Sequence, residues 1–133
     1  MKASHGEEKI IELLKAGKYK FEREKRFGDL RHGLYRFDFY VHCGRPTPCV
    51  IEFNGLQHYA QVKKFQPTWQ DFLKQKERDR RKISYCLANK IPIYIIPYWE
   101  LDSLHSAADL FKNKYKATDR WKNDKDWRKF TSL

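Results

Sequence analysis

RFDFYVHCGRPTPCVIEFNGLQHY, the stretch from Arg36 to Tyr59, decides the fold because it contains two apolar runs separated by a short polar connection. In the first run, RFDFYVH, apolar residues alternate with polar or aromatic ones, the period-2 pattern of a β-strand with two unlike faces. The second run, CVIEF, stops at Asn54-Gly55, a strong turn signal. We therefore expect two neighbouring strands joined by a tight connection.

Each of these expected strands carries one carboxylate. Asp38 lies in the middle of the first strand, and Glu52 lies near the end of the second. A carboxylate inside an apolar strand is unfavourable unless a partner compensates its charge, and a divalent cation can do so for two converging carboxylates. We expect Asp38 and Glu52 to form a metal site, and hard oxygen ligands favour Mg²⁺ or Mn²⁺.

The size and composition of the chain indicate one folded domain. With 133 residues the chain can build a sheet with helices on it but not two independent cores. Nine Phe, eight Tyr and four Trp raise the hydrophobic fraction to 41%, which is typical of a folded protein. We divide the chain into an α/β domain, residues 1–115, and a basic aromatic tail, residues 116–133, that packs on the domain or extends from it. Trp121 and Trp127 stand among the cations of this tail.

A net charge of +11, from 28 Lys and Arg against 17 Asp and Glu, predicts attraction to polyanions. Nucleic acid is the commonest soluble polyanion, so nucleic acid is the partner we expect. Cations expected near the carboxylates are candidates for phosphate contacts, although such charges also occur as ordinary solvated surface. Five of them are close to the proposed site in sequence: Arg23, Lys25, Arg26, Arg31 and Arg36. The others are Lys63 and Lys64, in the segment after Tyr59, and Lys82, in the long helical segment that follows.

Membranes and disulfides are not expected. No apolar run approaches the roughly 20 residues of a membrane span, and the first residues, MKASHGEEK, lack the hydrophobic region of a signal peptide. We expect a cytoplasmic protein. The three cysteines show no CxxC spacing, which favours free thiols over a zinc ribbon.

The order of the remaining elements favours an α/β fold with a central mixed sheet of about four strands flanked by helices. A strand, a helix and a strand in succession favour a parallel pair with a right-handed crossover. In chain order, the other expected elements are a helix from Glu7 to Ala16, an edge strand from Tyr19 to Phe27, a loop or lid from Ala60 to Thr68, a long helix from Trp69 to Asn89, an apolar strand from Ile91 to Tyr98 and an amphipathic helix within Leu104 to Tyr115.

The succession of Asp38, then Glu52 in IEFNGLQHY, then Gln57 and His58 beyond the turn, resembles the PD-(D/E)XK nuclease superfamily. It is most similar to small phage and bacterial endonucleases related to very-short-patch repair and EDxHD homing enzymes. The resemblance covers most of the chain, residues 4–98. It implies a restriction-endonuclease-like core, and it implies metal-dependent hydrolysis of DNA phosphodiesters without a small-molecule cofactor. If a phage encodes such an enzyme, the enzyme would act in the cytoplasm of the host cell.

The resemblance also implies roles for individual residues. Asp38, Glu52 and the backbone carbonyl of Phe53 would hold the metal. Glu7, in SHGEEKII, would be the acid of the first helix that binds a second metal or orients water. Without the resemblance, an acid in a first helical turn is explained by the helix dipole.

The main departure from the family pattern is a missing lysine. Asn54 stands where E-x-K would place it. Gln57 and His58 resemble replacements: an amide can position water or phosphate but cannot ionise, whereas His58 can move protons near neutral pH and is the candidate general acid or base. A His-Tyr pair such as His58 and Tyr59 also occurs as simple packing.

Asp79 lies in RDRRKISYC, which resembles an RD-x-x-K-x-x-Y-C pattern of the same nucleases. Asp79 would then supply the last acid of an EDxHD-like set, or it would pair with a neighbouring arginine. The resulting hypothesis is a Mg²⁺-dependent DNA endonuclease, in which a homodimer would allow paired cuts. The alternative is a catalytically inactive nucleic-acid-binding module of the same fold, and the missing lysine is the feature that favours it.

Overall fold

A computed structural model describes residues 3–42 and 48–118 of the chain. It contains one mixed sheet in the order β1-β2-β3-β4, with antiparallel β1-β2 and β2-β3 pairs and a parallel β3-β4 pair. The predicted α/β fold with four strands is confirmed. The main elements are α1 (His5–Ala16), β1 (Lys20–Arg26), β2 (Arg36–His42), β3 (Cys49–Asn54), α2 (Trp69–Ala88) and β4 (Ile93–Pro97).

Both helices begin at capping boxes. Ser4 Oγ accepts a hydrogen bond from the Glu7 N–H at 3.2 Å, and the Glu7 carboxylate accepts one from the Ser4 N–H at 3.4 Å. Thr68 and Asp71 make the same reciprocal pair at the start of α2. These bonds satisfy backbone donors that have no partner inside a helix, which explains where each helix starts.

The sheet has a core on each face. One, which we call the α1 cluster, is formed by Ile10, Leu14, Phe39, Val41, Cys49, Ile51, Tyr94, Ile96, Leu104, Leu110 and Tyr115. The other, the α2 cluster, is formed by Phe37, Val50, Ile83, Cys86, Ile93, Ile95 and Ala117. All five residues of β4 are buried, as predicted for a strand covered on both faces. Cys49 and Cys86 are both buried.

The alternation of β2 is interrupted at Asp38. The period-2 pattern predicted that Phe37, Phe39 and Val41 share one face, but Phe37 belongs to the α2 cluster and the other two belong to the α1 cluster. On the neighbouring strand, the residue between the partners of Phe37 and Phe39 is Glu24, which has a left-handed φ of 54°. Such a conformation is unfavourable for a residue with a Cβ. The distortion therefore coincides with the position of the carboxylate.

One predicted helix was wrong. The segment Leu104 to Tyr115 forms two short 3₁₀ turns, Ala107–Phe111 and Asn113–Tyr115, instead of an amphipathic helix. Lys112, between them, has an extended backbone (φ −67°, ψ 144°), which ends the first turn. The apolar residues still reach the α1 cluster, because two separate turns place Leu110 and Tyr115 against it.

The start of the predicted tail packs on the sheet. Lys116 forms an isolated bridge with Tyr94, and the Ala117 N–H donates to the Ile93 carbonyl at 2.9 Å. The rest of the tail, with Trp121 and Trp127, lies outside the described residues, as does Cys43. Among the residues that the structure describes, no helix has the length and apolar character needed to cross a membrane.

Candidate active site

Asp38 and Glu52 lie where β2 and β3 stop pairing. The last residue pair of this ladder is Phe39 with Ile51, and the carboxylates follow on the next residue of each strand. Instead of continuing the ladder, the Phe53 N–H donates to Asp38 Oδ2 at 2.8 Å. The side chain of Asp38 thus replaces a backbone acceptor, which fixes its orientation towards β3.

The two carboxyl groups are close enough to influence each other's ionisation. Glu52 is buried, with 6% of its surface exposed, and Asp38 is partly buried. The pKa of Asp38 is raised well above its usual value by burial, by the neighbouring charge of Glu52 and by a hydrogen bond between the two side chains. Lys82 and the Phe53 N–H act in the opposite direction but do not outweigh these effects. Two such groups are stable together when they share a proton or a cation.

Lys82 is the third member of this group. Its ammonium, carried by α2, lies 2.5 Å from Glu52 Oε1, and it lies 4.9 Å from the centroid of the Phe37 ring. Burial alone would lower the pKa of Lys82, but the attraction of Glu52 and Asp38 outweighs it and raises that pKa. From the sequence we expected a surface cation that contacts DNA; the structure instead places Lys82 beside the carboxylates.

These residues fit a hard divalent cation. The two carboxylates supply oxygen donors, and the buried Glu52 Oε1 contacts the Lys82 ammonium. Within residues 3–42 and 48–118 no group of three or more His, Cys, Asp or Glu side chains is arranged to hold a metal. Mg²⁺ in enzyme sites commonly takes one or two carboxylates and completes its shell with water and substrate phosphate. Phe53, whose carbonyl is the third predicted ligand, pairs with Ile96 in the parallel ladder, which holds its backbone at this edge of the site.

Glu7 is not part of this carboxylate group. Besides closing the capping box, its carboxylate accepts a hydrogen bond from Arg23 Nη2 at 3.1 Å. The start of α1 nevertheless lies against β3, because Gly6 packs so closely on the Phe53 ring that a Cβ atom there would come within 2.3 Å of it. A second-metal role for Glu7 stays a prediction.

His58 and Asp79 form a second polar group. His58 lies in the 3₁₀ turn Leu56–His58, directly after β3, and its Nδ1 lies 3.0 Å and 3.1 Å from the two oxygens of Asp79. Gln75 Nε2 donates to Asp79 at 3.0 Å, and the Lys76 ammonium donates to the His58 carbonyl at 2.7 Å. Asp79 therefore pairs with His58, Gln75 and Lys76 and not with a neighbouring arginine. Its role as the last acid of an EDxHD-like set stays a prediction.

The electrostatics of Asp79 favour its charged form. Burial on its own would raise the pKa of Asp79, but His58 and then Lys76 and Gln75 lower it below its usual value. An anionic Asp79 holds the proton of His58 on Nδ1, which leaves Nε2 for another partner. Asp79 is also close enough to Lys82 to help raise its pKa, so the two polar groups are electrostatically connected.

Gln57 and the predicted phosphate-binding cations do not form a compact group like the carboxylates or the His58–Asp79 pair. The amide of Gln57 lies over Gly55, and its backbone carbonyl accepts a hydrogen bond from Gln66. Arg23 and Lys25 are partly buried: Arg23 binds Glu7, and the Lys25 ammonium lies 5.0 Å from the Tyr40 ring centroid. The exposed members of the set are Arg26, Arg31, Arg36, Lys63 and Lys64.

A surface groove of about 450 Å³ lies along α2, lined by Leu30, Glu77, Arg80, Arg81, Ser84 and Tyr85. None of the carboxylates or the histidine described above lines it. Its polar side chains also bind within the protein: Arg81 Nε donates to Glu77, and the Tyr85 hydroxyl donates to Asp29. We therefore do not assign the chemistry to this groove.

A scan against models of protein families, a search of curated proteins and a search of solved structures each returned no match. The functional argument therefore rests on the geometry of the site.

Proposed function

We propose that this protein is a metal-dependent endonuclease that hydrolyses DNA phosphodiesters. The observation that carries the proposal is the convergence of Asp38, Glu52 and the Lys82 ammonium where β2 and β3 diverge. Two acids and one buried cation at the end of a ladder are an unfavourable arrangement for stability alone. They suit a site that binds a divalent cation and an anionic substrate.

Asp38 and Glu52 would hold Mg²⁺ or Mn²⁺, which supplies a Lewis acid for the scissile phosphate and makes bound water more acidic. The hydrogen bond from Phe53 keeps Asp38 turned towards Glu52. Because a neighbouring cation lowers the pKa of a carboxyl group, a bound metal would oppose the rise in pKa that burial and Glu52 cause in Asp38.

Lys82 acts in this proposal as a fixed positive charge. Its raised pKa keeps it protonated at neutral pH, so it cannot serve as a general base. A protonated ammonium beside Glu52 can instead orient that carboxylate and stabilise the negative charge that develops on the phosphate. In this proposal Lys82 supplies the positive charge of the E-x-K lysine, whose position in the strand is occupied by Asn54.

His58 is the proton-transfer group of the proposal. Asp79 fixes the ring through Nδ1, and Lys76 holds the backbone of the same residue. An imidazole held in this way presents Nε2 in a defined orientation, which suits it to accept a proton from water or to donate one to the leaving oxygen.

The contact between Lys82 and Glu52 favours the enzyme over an inactive binding module, because it puts an ammonium beside the carboxylates although the strand has no lysine. A module that only binds DNA gains nothing from acids that repel phosphates. The exposed cations Arg26, Arg31, Arg36, Lys63 and Lys64 support DNA as the substrate.

The direct test is incubation of the purified protein with supercoiled plasmid in Mg²⁺ and in EDTA. We expect nicked or linear plasmid only with the metal, and we expect none from Asp38→Asn or Glu52→Gln. Glu77→Gln is the matched control, because Glu77 is a partly exposed acid of α2 with 47% of its side-chain surface accessible. Cleavage in EDTA, or full cleavage by Asp38→Asn, would refute the proposed function.

A further inference from the structure

Leu34 is an exposed apolar side chain at the edge of the sheet that carries the carboxylates. It has 62% of its surface accessible, and it lies on the loop that leads from β1 into the start of β2. Leu34 precedes Asp38 by four residues, so the Cα atoms of the two residues lie within about 14 Å of each other. An exposed leucine is common on protein surfaces, but the conformation and the charged neighbours of this one set it apart.

The loop that carries Leu34 is held in an unfavourable conformation. Arg31 and His32 have left-handed φ angles of 49° and 54°, and Gly33 follows with a φ of 76°. A left-handed φ is unfavourable for a residue with a Cβ atom. Such conformations persist where the surrounding structure fixes them, and they cluster at functional sites. The protein therefore loses some stability in the conformation that exposes Leu34, and a binding role would account for this loss.

Side-chain hydrogen bonds fix the loop to the elements on either side of it. The Arg26 guanidinium, at the end of β1, donates to the Gly33 carbonyl at 2.6 Å. The Tyr85 hydroxyl, on α2, donates to the Asp29 carboxylate at 2.6 Å. The loop is thus bound to β1 and to α2, and Leu34 projects from a defined surface.

The charges around Leu34 favour a polyanion. Arg26, Arg31 and Arg36 are all exposed in this part of the chain. The Glu24 carboxylate lies 3.7 Å from the Arg36 guanidinium and offsets one of these charges. An apolar side chain among arginines suits the minor groove of DNA, because its negative potential attracts arginine and apolar side chains are frequent in proteins that bind there.

A·T pairs fit this surface better than G·C pairs. In the minor groove A·T and T·A pairs present only hydrogen-bond acceptors, whereas G·C adds the N2 amino group of guanine, a donor. That amino group would oppose Arg31, which is itself a donor, and would find no acceptor in the side chain of Leu34. Tracts of A·T pairs also have the narrower groove, which attracts arginine more strongly.

We propose that the loop of residues 29–34 binds the minor groove beside the scissile phosphate, with Arg31 and Leu34 in the groove, and that the protein prefers A·T pairs there. This inference rests on the proposed function for its DNA substrate. Base pairs are about 3.4 Å apart, so a reach of about 14 Å places the preferred pairs within about four of the cleaved bond. A second copy of the chain is a less suitable occupant, because the same arginines on both copies would repel each other.

The test is DNA binding in EDTA, where the proposed cleavage cannot occur. Three oligonucleotide duplexes of equal length are compared, with central tracts of A·T, G·C or inosine·cytosine pairs. Inosine lacks the N2 amino group of guanine, so its pair with cytosine resembles G·C in the major groove and A·T in the minor groove. We expect wild type to bind the A·T and inosine duplexes alike. It should bind the G·C duplex about 5- to 150-fold more weakly, the usual effect of an unfavourable base pair.

Substitutions in the loop test the two residues assigned to the groove. Arg31→Gln and Leu34→Ala should each reduce the difference in affinity between the A·T and G·C duplexes, because each removes a side chain from the groove. Leu73→Ala is the matched control, since Leu73 is 38% exposed but lies on α2. It should retain the wild-type preference.

An inosine duplex that binds as weakly as the G·C duplex would overturn the inference, because the N2 amino group would then play no part. So would a preference that is unchanged in both loop variants, or a wild-type dimer in sedimentation that Leu34→Ala converts to monomer. A protein that shows the preference but never cuts plasmid would refute the nuclease proposal and leave this inference standing. Metal-dependent cutting with equal binding of all three duplexes would support the nuclease proposal and overturn this inference.

Discussion

Lys82 and Glu52, on α2 and β3 respectively, bring an ammonium within 2.5 Å of a buried carboxylate oxygen. The contact is non-local and joins the long helix to the strand that ends at the site. It gives the carboxylate pair a fixed positive charge without any lysine on the strand itself.

The first prediction concerns Lys82→Met. Removing the ammonium should lower the turnover number for DNA cleavage by about 10²- to 10³-fold, the usual effect of deleting one group that stabilises transition-state charge. It should also lower the melting temperature in EDTA, because Glu52 would remain buried without a counter-charge. Turnover at saturating DNA and Mg²⁺, and melting followed by circular dichroism, would measure the two effects.

Lys74→Met is the control for Lys82→Met, since Lys74 is an exposed lysine of the same helix. This substitution removes the same charge from an exposed position, so the turnover number of the variant should stay close to that of wild type. If Lys82→Met cut DNA as fast as Lys74→Met, Lys82 would have no part in the reaction.

The second prediction concerns the metal in the absence of DNA. A ligand that binds only the folded state stabilises it by about 2.7 kcal/mol at 100 times its dissociation constant, and a chain of this size gains about 4 °C for each kcal/mol. We therefore expect Mn²⁺ to raise the melting temperature of wild type by up to about 10 °C. Asp38→Asn and Glu52→Gln should show little of this increase, and chelation should reverse it.

Glu77→Gln should keep the full Mn²⁺ response, because its carboxylate binds Arg80 and Arg81 on the surface of α2. An identical response in Asp38→Asn and in Glu77→Gln would mean that the metal binds elsewhere.

The carboxylate pair could be predicted from the sequence because its geometry is local. Two strands joined by a short connection become neighbours, and a polar residue in each apolar run marks the positions of Asp38 and Glu52. The position of Phe37 could not be predicted, since it depends on the interrupted alternation beside Glu24.

The position of Lys82 depends on how α2 rotates against the sheet. Lys82 follows Asp79 by three residues and precedes the buried Cys86 by four, a spacing compatible with the inner face, although we had assigned Lys82 to DNA contact. What the sequence lacked was the location of that face relative to Glu52. The same limit applied to Asp79, whose arginine neighbours are local in sequence whereas its partner His58 is not.

The third prediction is that His58 and Asp79 act as one unit. His58→Ala should slow cleavage by about 10²- to 10⁴-fold with little effect on DNA affinity, because proton transfer contributes to the rate and not to ground-state binding. His58→Gln should be equally slow, since an amide cannot transfer a proton. Asp79→Asn should also slow cleavage, because it no longer holds the proton on Nδ1.

The pair is tested by the double variant. If Asp79 acts only through His58, adding Asp79→Asn to His58→Ala should cause no further loss of turnover. If the losses of turnover of the two single variants multiply in the double variant, Asp79 has a role that is independent of His58. If both His58 variants cut DNA at the wild-type rate, a group other than His58 must activate the water.

The fourth prediction is that Asp38→Asn stabilises the metal-free protein at neutral pH. Burial and the neighbouring Glu52 raise the pKa of Asp38 in the folded state, whereas in the unfolded chain it lies near about 3.9. Below that value both states hold the proton and the pH has no effect through this group. As the pH rises towards the folded-state pKa, the unfolded chain loses its proton first, so wild type loses stability. The asparagine stays neutral, and its amide oxygen can still accept the hydrogen bond from Phe53.

Melting temperatures in EDTA between pH 4 and pH 8 would test this sign. The advantage of Asp38→Asn should be smallest at the acid end and should grow as the pH rises, and Mn²⁺ should reverse it by stabilising wild type alone. Asp109→Asn is a control of opposite sign, because the His105 N–H donates to its carboxylate at 2.7 Å and lowers the pKa of Asp109. That variant should be less stable than wild type throughout this range, because the contribution of Asp109 is lost only below the pKa of the unfolded chain, about 3.9. A wild type more stable than Asp38→Asn at pH 8 in EDTA would show that the Asp38 carboxylate is stabilised in its charged form, and the repulsion from Glu52 on which the metal assignment relies would be absent.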